Sequence, residues 1–423
     1  MLTTRVRERF SFEGLFLLIL LVTIALRFYA LDLKLFHHDE AIHAWFSYRL
    51  LTEGTYIYDP MYHGPFLYYT TAGIFSLLGD SDLVGRLIPA LFGTVLVALV
   101  YPIYKLGYLD KKQALIAALF LAVSPNMVYF SRFLRNDIYI AVFSMVLLVA
   151  LLYYFERHKM RYALLAGAAI GLGMSTKENM PIIILTFGVY LLYLVWTRKV
   201  QLPPRWIRDF ALGSIVAVGI MAVLYSSLGA HPEVLMDGWL RAIEHWTSMH
   251  QMQRLGGPPY FYILLFLLYE VPILVLAAVG VLQFVGIPGA VSRWKERRVR
   301  RGAPGTAPTP TGNAGNTGEE NPGVSARPLD PGEFPAVEER LPGEEGENPG
   351  SVAASPGEDE TAAEEAPKAR GWKDRLRRLL ARGEGGRLVD RQEEFARFAI
   401  FWMLVSLAAY AYIGEKVPWL ILH

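Results

Sequence analysis

The chain has 423 residues, of which 53% are hydrophobic and 13% aromatic, and its mean hydropathy is +0.30. The apolar residues fall into runs of roughly 15–25 residues almost free of charge, each long enough to cross about 30 Å of hydrocarbon, which excludes a soluble enzyme of ordinary globular domains. A net charge of +2 gives no field suited to nucleic acid, and the absence of Cys excludes disulfides, Cys-ligated metals and thiol nucleophiles. The composition predicts an all-α, polytopic membrane protein.

The first run, residues 15–31, follows Arg5, Arg7 and Arg9. Its bulky Phe28 argues against signal cleavage, so it reads as an uncleaved first span. Further runs lie at 87–106, 114–131, 138–155, 162–175, 180–197, 210–228, 260–287 and 396–413. Basic clusters follow in alternate loops: Lys105/Lys111/Lys112, Arg157/Lys159/Arg161, Arg198/Lys199/Arg205/Arg208 and residues 293–301. With a cytoplasmic N-terminus all of them fall inside, which predicts about nine transmembrane helices. Residues 65–78 are apolar but short, and counting them as a crossing would place the later basic loops outside. They are therefore expected to form an interfacial helix within a long first external loop, residues 32–86.

Residues 302–370 are rich in Gly, Pro, Ala and Glu and cannot bury enough apolar surface to offset chain entropy, so they read as a disordered cytoplasmic insertion. Residues 372–380 and 388–397 read as short basic amphipathic helices against anionic lipid. The expected domains are thus a transmembrane catalytic domain over 1–292, an insertion over 293–395 and a last span over 396–423. The apolar stretch 418–423 is expected either to cap that span or to continue into further chain.

Ionisable residues are costly in lipid and usually mark a site. Here they gather in four places on the external side of the expected topology. The first loop carries His37-His38-Asp39-Glu40 with His43, and later Tyr62-His63-Gly64-Pro65. Ser131-Arg132, Arg135 and Asn136-Asp137 lie between the third and fourth spans, and Thr176-Lys177-Glu178-Asn179 between the fifth and sixth. The fourth place is a loop carrying His231, Glu233, Asp237, Arg241, Glu244, His245, His250 and Arg254. This asymmetry suits chemistry on an anionic, lipid-borne substrate, with Arg132, Arg135 and Lys177 able to hold a phosphate. Each piece also has a plainer reading. Asp39-Glu40 fits a helix N-terminus, Arg132 and Asp137 a structural ion pair, and Lys177-Glu178 an interfacial anchor. Gly167, Gly171 and Gly173 read as close helix packing and not as a phosphate loop.

Taken in order, these strings resemble the membrane glycosyltransferases of the GT-C fold. The resemblance rests on the Asp39-Glu40 pair, the Tyr62-to-Tyr69 segment, the Arg86-to-Gly93 segment, Ser131-Arg132 with Asn136-Asp137, and Thr176-Lys177. The chain is similar to protein mannosyltransferase-like proteins, including aminoarabinose transferases. It is most similar to a bacterial and archaeal set of flippase activity-associated proteins, which share the His37-to-His43 and Thr176-to-Asn179 strings. The resemblance covers about residues 14–290, and Glu415-Lys416 with Pro418-Trp419 also fits.

The resemblance implies transfer of a sugar from a polyprenyl-phosphate carrier to an acceptor protein, lipid or glycan at the outer face of the cell membrane. By position it makes Asp39 the catalytic carboxylate and Glu40 its companion, and sets Arg132, Arg135 and Lys177 at the donor phosphate. His38, His43, His63, Asp137, Glu178 and Asn179 would shape the cavity. Some relatives place a Glu or Lys near the end of the first loop, where a divalent metal ion or a phosphate binds; here His63 stands in, with His245 and His250 as further candidate metal ligands. A polyprenyl phosphate is a good leaving group, so the expected step is one displacement with inversion, Asp39 taking the acceptor's proton. Two other functions compete. A flippase-linked transporter would place ionisable residues near the bilayer midplane on broken helices, often in repeated halves, and no repeat is visible. A non-catalytic scaffold would tolerate loss of Asp39, Arg132 and Lys177 but not of the insertion.

Overall fold

The computed structural model describes residues 2–54, 56–235, 240, 244–245, 247–248, 257–286 and 390–412. These belong to one compact unit, made of Met1–Ala290 and Leu376–His423; Val291–Arg375 form a second unit, outside the described residues. The expected insertion over 302–370, the basic helix over 372–380, the 415–419 string and His250 also lie outside them. Among the described residues there is no strand.

The helices run in chain order as α1 (Leu2–Phe28), α2 (His38–Glu53), α3 (Phe66–Leu78), α4 (Asp82–Ala98), α5 (Val100–Lys105), α6 (Lys111–Val123), α7 (Pro125–Ser131), α8 (Asp137–Arg157), α9 (Met160–Met174), α10 (Met180–Trp196), α11 (Trp206–Tyr225), α12 (Phe261–Tyr269), α13 (Val271–Val285) and α14 (Arg391–Tyr412). Local chemistry sets many boundaries. The Ser81 side chain caps α4 at Val84 N, and Asp110 with Gln113 forms a reciprocal capping box on α6. The α3 helix occupies the stretch expected to be interfacial, and α14 begins at Arg391, inside the stretch assigned to the insertion.

Among the described residues, five helices are long and apolar enough to cross a membrane, or up to seven when each of two bent pairs is taken as one span. The remaining two of the expected runs carry α9 and α10, of 15 and 17 residues, shorter than a full crossing. The run at 114–131 is bent by 57° between α6 and α7, and the run at 260–287 by 112° between α12 and α13. Neither is the straight span expected from hydropathy.

Both breaks fall beside a proline. Ser124-Pro125 interrupts the first, because proline carries no N–H and clashes with the preceding turn. The open carbonyls of α6 are then taken by fully buried Arg27, whose guanidinium donates to Leu121 O at 2.8 Å and Ala122 O at 3.1 Å. The open end of α7 meets Glu270, which lies at the second break and accepts from Ser124 Oγ at 2.6 Å and Asn126 N at 3.0 Å. A cation thus sits on the negative end of one half-helix and a carboxylate on the positive end of the other.

Close packing is concentrated where α9 meets α11. A Cβ built on Gly167 would lie 2.1 Å from Gly213 O, and one on Gly171 would lie 2.7 Å from Ala217 O. The glycines therefore act as the sequence suggests, letting two backbones touch. The α14 helix is tied to α10 by buried Glu394, which takes Lys199 Nζ at 3.1 Å and Tyr190 Oη at 2.8 Å. Gly167→Ala should lower the melting point of the detergent-solubilised protein by the equivalent of about 1–3 kcal/mol, because the added methyl overpacks a backbone contact. Gly188→Ala, whose Cβ would meet nothing within 4 Å, should not lower it.

Candidate functional site

The site grows from the N-terminus of α2. The His37 ring accepts from Asp39 N at 3.3 Å while Glu40 Oε2 accepts from His37 N at 2.9 Å, so the pair of carboxylates does open a helix. Neighbouring helical residues diverge by about 100°, and the two side chains part company. Glu40 turns inward to 1% exposure and takes a bidentate fork from Arg86 of α4, with Nε at 2.8 Å and Nη2 at 2.7 Å. Its Oε1 also accepts from Leu134 N at 3.0 Å. The same guanidinium donates to Leu31 O and Lys34 O, both at 2.7 Å. Glu40 is thus saturated, and joins the α1–α2 link, α4 and the loop before α8.

Asp39 faces the other way and is about one-third exposed, whereas Asp137 is fully buried. Between them stands Arg135, paired with Asp39 and 3.2 Å from Asp137 through Nε. Lys177 completes the row, with Nζ 2.5 Å from Asp137 Oδ1. Carboxylate, guanidinium, carboxylate and ammonium therefore alternate, drawn from α2, the loop before α8, α8 itself and the loop before α10. Burial lowers the pKa of Lys177, with Asp137 opposing and Arg135 adding to the effect.

His63 and Glu178 form a second pair, Nδ1 to Oε2 at 2.8 Å. Burial raises the Glu178 pKa, but the charge and hydrogen bond of His63 outweigh it, so the carboxyl titrates below its ordinary range. The backbone of His63 has φ 68 and ψ −168, a region open mainly to glycine and costing about 1–3 kcal/mol elsewhere. What holds it there is the next residue: Gly64 N donates to Thr176 O at 3.1 Å, and Phe66 N donates to Ser175 O at 2.8 Å. A Cβ on Gly64 would lie 2.3 Å from Ser175 O, so only glycine permits this contact between the two sequence motifs.

The other expected site residues distribute as follows. His43 is buried and bonds Tyr68 Oη at 3.0 Å; burial, then the charges of His63 and Arg135, push its pKa down to about 3, so it is neutral at pH 7. Asn179 Nδ2 donates to Tyr410 Oη at 3.3 Å, and His38 is exposed. Arg132 is engaged elsewhere, donating to Leu26 O at 2.8 Å and Ala30 O at 3.0 Å at the end of α1, so the Arg132–Asp137 pair does not form. Among the described residues no three His, Asp or Glu side chains are placed to hold a metal ion, and His63 and His245 are not brought into such a group. Arg86 and Tyr68 lie in two of the strings that carry the resemblance, but the sequence gives neither a site role; the signal for Arg86 is a lone cation in a largely apolar helix.

Glu178 also stands at one end of a cavity of about 1110 Å³ that follows α8, α9, α10 and α11. Tyr58, Met174 and Tyr225 line it beside Glu178, and Trp206 and Asp209 line it at the start of α11. The intervening α10 has 17 residues, about 25 Å at 1.5 Å per residue. The walls between are almost wholly apolar.

Residues 62–229 match the dolichyl-phosphate-mannose-protein mannosyltransferase family. The match supports the GT-C glycosyltransferase fold that the sequence resembles. No curated protein sequence matches the chain. Among solved structures the chain is similar to the S. cerevisiae protein O-mannosyltransferase Pmt1–Pmt2 complex bound to the sugar donor, at 21% identity and a TM-score of 0.40, covering 56% of this chain and 34% of that one. It is similar to the oligosaccharyltransferase AglB from Archaeoglobus fulgidus, in complex with an inhibitory peptide and a dolichol-phosphate, at 18% identity and a TM-score of 0.42, covering 70% and 40%. It is similar to ArnT from Cupriavidus metallidurans bound to undecaprenyl phosphate, at 20% identity and a TM-score of 0.42, covering 60% and 47%. The chain spans less than half the length of each.

Glu40→Ala should cost about 3–5 kcal/mol in thermal unfolding, because it strands a buried guanidinium. The contribution of Glu178 should be complete above the ordinary carboxylate pKa and lost as pH falls through its lowered folded value. The melting-point difference between wild type and Glu178→Gln should therefore shrink steadily as the buffer is taken below that range.

Proposed function

We propose that the chain is an integral-membrane glycosyltransferase that moves a sugar from a polyprenyl-phosphate donor to an acceptor hydroxyl at the non-cytoplasmic face. The observation that carries this is the alternating row of charges, with an accessible carboxylate at one end and buried cations behind it, near one end of a long apolar cavity. The cavity fits a polyprenyl chain, and Arg135 and Lys177 are the cations placed to hold the phosphate. Arg132, bound to the end of α1, acts as a positioning residue in this reading, and so does Glu40.

The chemistry follows from the charges. The acceptor oxygen attacks the anomeric carbon as the bond from that carbon to the phosphate oxygen breaks. The departing electron pair stays on the phosphate, where Arg135 and Lys177 stabilise the growing charge. The acceptor proton goes to Asp39, the most exposed carboxylate of the row. No enzyme nucleophile takes part, so the product is inverted. Asp137 lies between the two cations, pairs with both and sets their spacing.

A transport role for lipid-linked sugars draws support from the same cavity, which follows nearly the length of α10, and from the two broken helices. Transfer of radiolabelled sugar from polyprenyl-phosphate donors separates the readings. In membranes with equal protein levels, Asp39→Asn should lower transfer on the order of 10²–10⁴-fold. Full transfer by a folded Asp39→Asn protein would overturn the role of Asp39, and donor flipping that is independent of Asp39 would favour transport.

A further inference from the structure

His43 stands one turn beyond Asp39 on α2, and residues four apart on a helix are neighbours, about 5–6 Å between their Cβ atoms. It is 6% exposed where the Asp39 side chain is about one-third exposed, so it lies deeper on the same face. Besides burial, its ring responds to the charges of His63, Arg135, Asp137 and Lys177, in that order. The imidazole therefore lies among the charges that make up the row, although the chemistry above gives it nothing to do.

Its proton is placed by a hydroxyl. Tyr68 Oη donates to Tyr62 O at 2.6 Å and lies 3.0 Å from His43 Nδ1. A phenol has one proton and a carbonyl has none. The Tyr68 proton thus goes to Tyr62 O, and His43 Nδ1 is the donor in the second bond. Tyr68 is fully buried, and burial with the Glu178 and Asp59 carboxylates pushes its pKa up, so that proton stays in place. Burial, then the charge of His63, holds His43 neutral at pH 7. A neutral imidazole carries a single N–H, which leaves Nε2 as a bare acceptor.

That acceptor is unused. Nε2 has no hydrogen-bond partner among the described residues, and it keeps accessible surface, unlike sealed atoms such as the Tyr56 hydroxyl. An unmet acceptor in a largely buried side chain carries a desolvation cost that a ligand donor removes.

The surroundings select the donor group. Arg135 and Lys177 repel an ammonium, and an ionised phosphate has no proton to give. On the transferase reading the acceptor hydroxyl meets Asp39, one turn nearer the exposed rim. The remaining group is a hydroxyl of the sugar attached to the phosphate that Arg135 and Lys177 hold. A neutral acceptor suits this place, because another carboxylate would compete with the phosphate for the two cations.

We propose that His43 Nε2 accepts a hydrogen bond from a hydroxyl of the transferred sugar, so that the sugar is recognised separately from the lipid phosphate. The proposal rests on the transferase reading above and adds a residue that reads its donor. It is tested by imidazole-nitrogen NMR of the full chain in detergent, labelled at histidine, with His43→Phe supplying the assignment. The probes are undecaprenyl phosphate and its mannosyl and glucosyl esters. In the wild type Nε2 should be unprotonated, at least one glycosyl lipid should shift its resonance, and undecaprenyl phosphate should not. His43→Phe keeps a ring and leaves Tyr68 bonded to Tyr62 O, so it should fold. It should raise the Kd of that glycosyl lipid by about 5–10-fold and leave undecaprenyl phosphate binding unchanged, and His43→Gln, which returns an acceptor, should recover part of the loss. The proposal is overturned if Nε2 carries the proton, if a bound glycosyl lipid leaves it unmoved, if undecaprenyl phosphate shifts it equally or is the only probe to bind, or if His43→Phe weakens both kinds of lipid alike. Binding of none of the three lipids would sink the transferase reading and this proposal with it. A glycosyl lipid that binds without moving Nε2 would remove His43 alone.

Discussion

Everything at the site depends on one buried ion pair, Glu40 with Arg86. A guanidinium and a carboxylate are costly to take out of water, and the cost is offset only when their remaining hydrogen-bonding capacity is met. Here Leu31 O, Lys34 O, His37 N and Leu134 N meet much of it. Because those groups come from different stretches of chain, satisfying the pair fixes where α2 starts and where the Arg135 loop lies. Asp39 can meet Arg135 only because Glu40, one residue on, is held so firmly.

A second pair of charges plays a similar part deeper in the bundle. The break between α6 and α7 would leave open carbonyls and open N–H groups with little water to satisfy them. Arg27 takes the carbonyls and Glu270 takes the N–H end. The short α7 then leads directly into residues 132–137, the loop that delivers Arg135 and Asp137. Charges that look like site residues in a membrane sequence thus divide into two kinds. Some satisfy broken backbone, and others pair with one another in the row from Asp39 to Lys177.

The His63 segment ties the first loop to the loop before α10. Its strained backbone is held by Gly64 against Ser175 and Thr176, so the first-loop motif and the Lys177 motif meet backbone to backbone. Tyr58 lines the long cavity beside Glu178.

The sequence by itself determined the all-α membrane character, the positions of the apolar runs, the close-packing role of Gly167 and Gly171, and the strings that carry the GT-C resemblance. These are local properties: hydropathy, spacing and residue type act over a few turns. Tertiary structure alone decided partners. It gave Glu40 to Arg86, 46 residues away, assigned Arg135 and not Arg132 to Asp39 and Asp137, and bent two runs that hydropathy reads as straight. An apolar run reports the average polarity of its surroundings, while a bend or an ion pair depends on which distant atom lies within about 3 Å. Only the folded chain sets that distance.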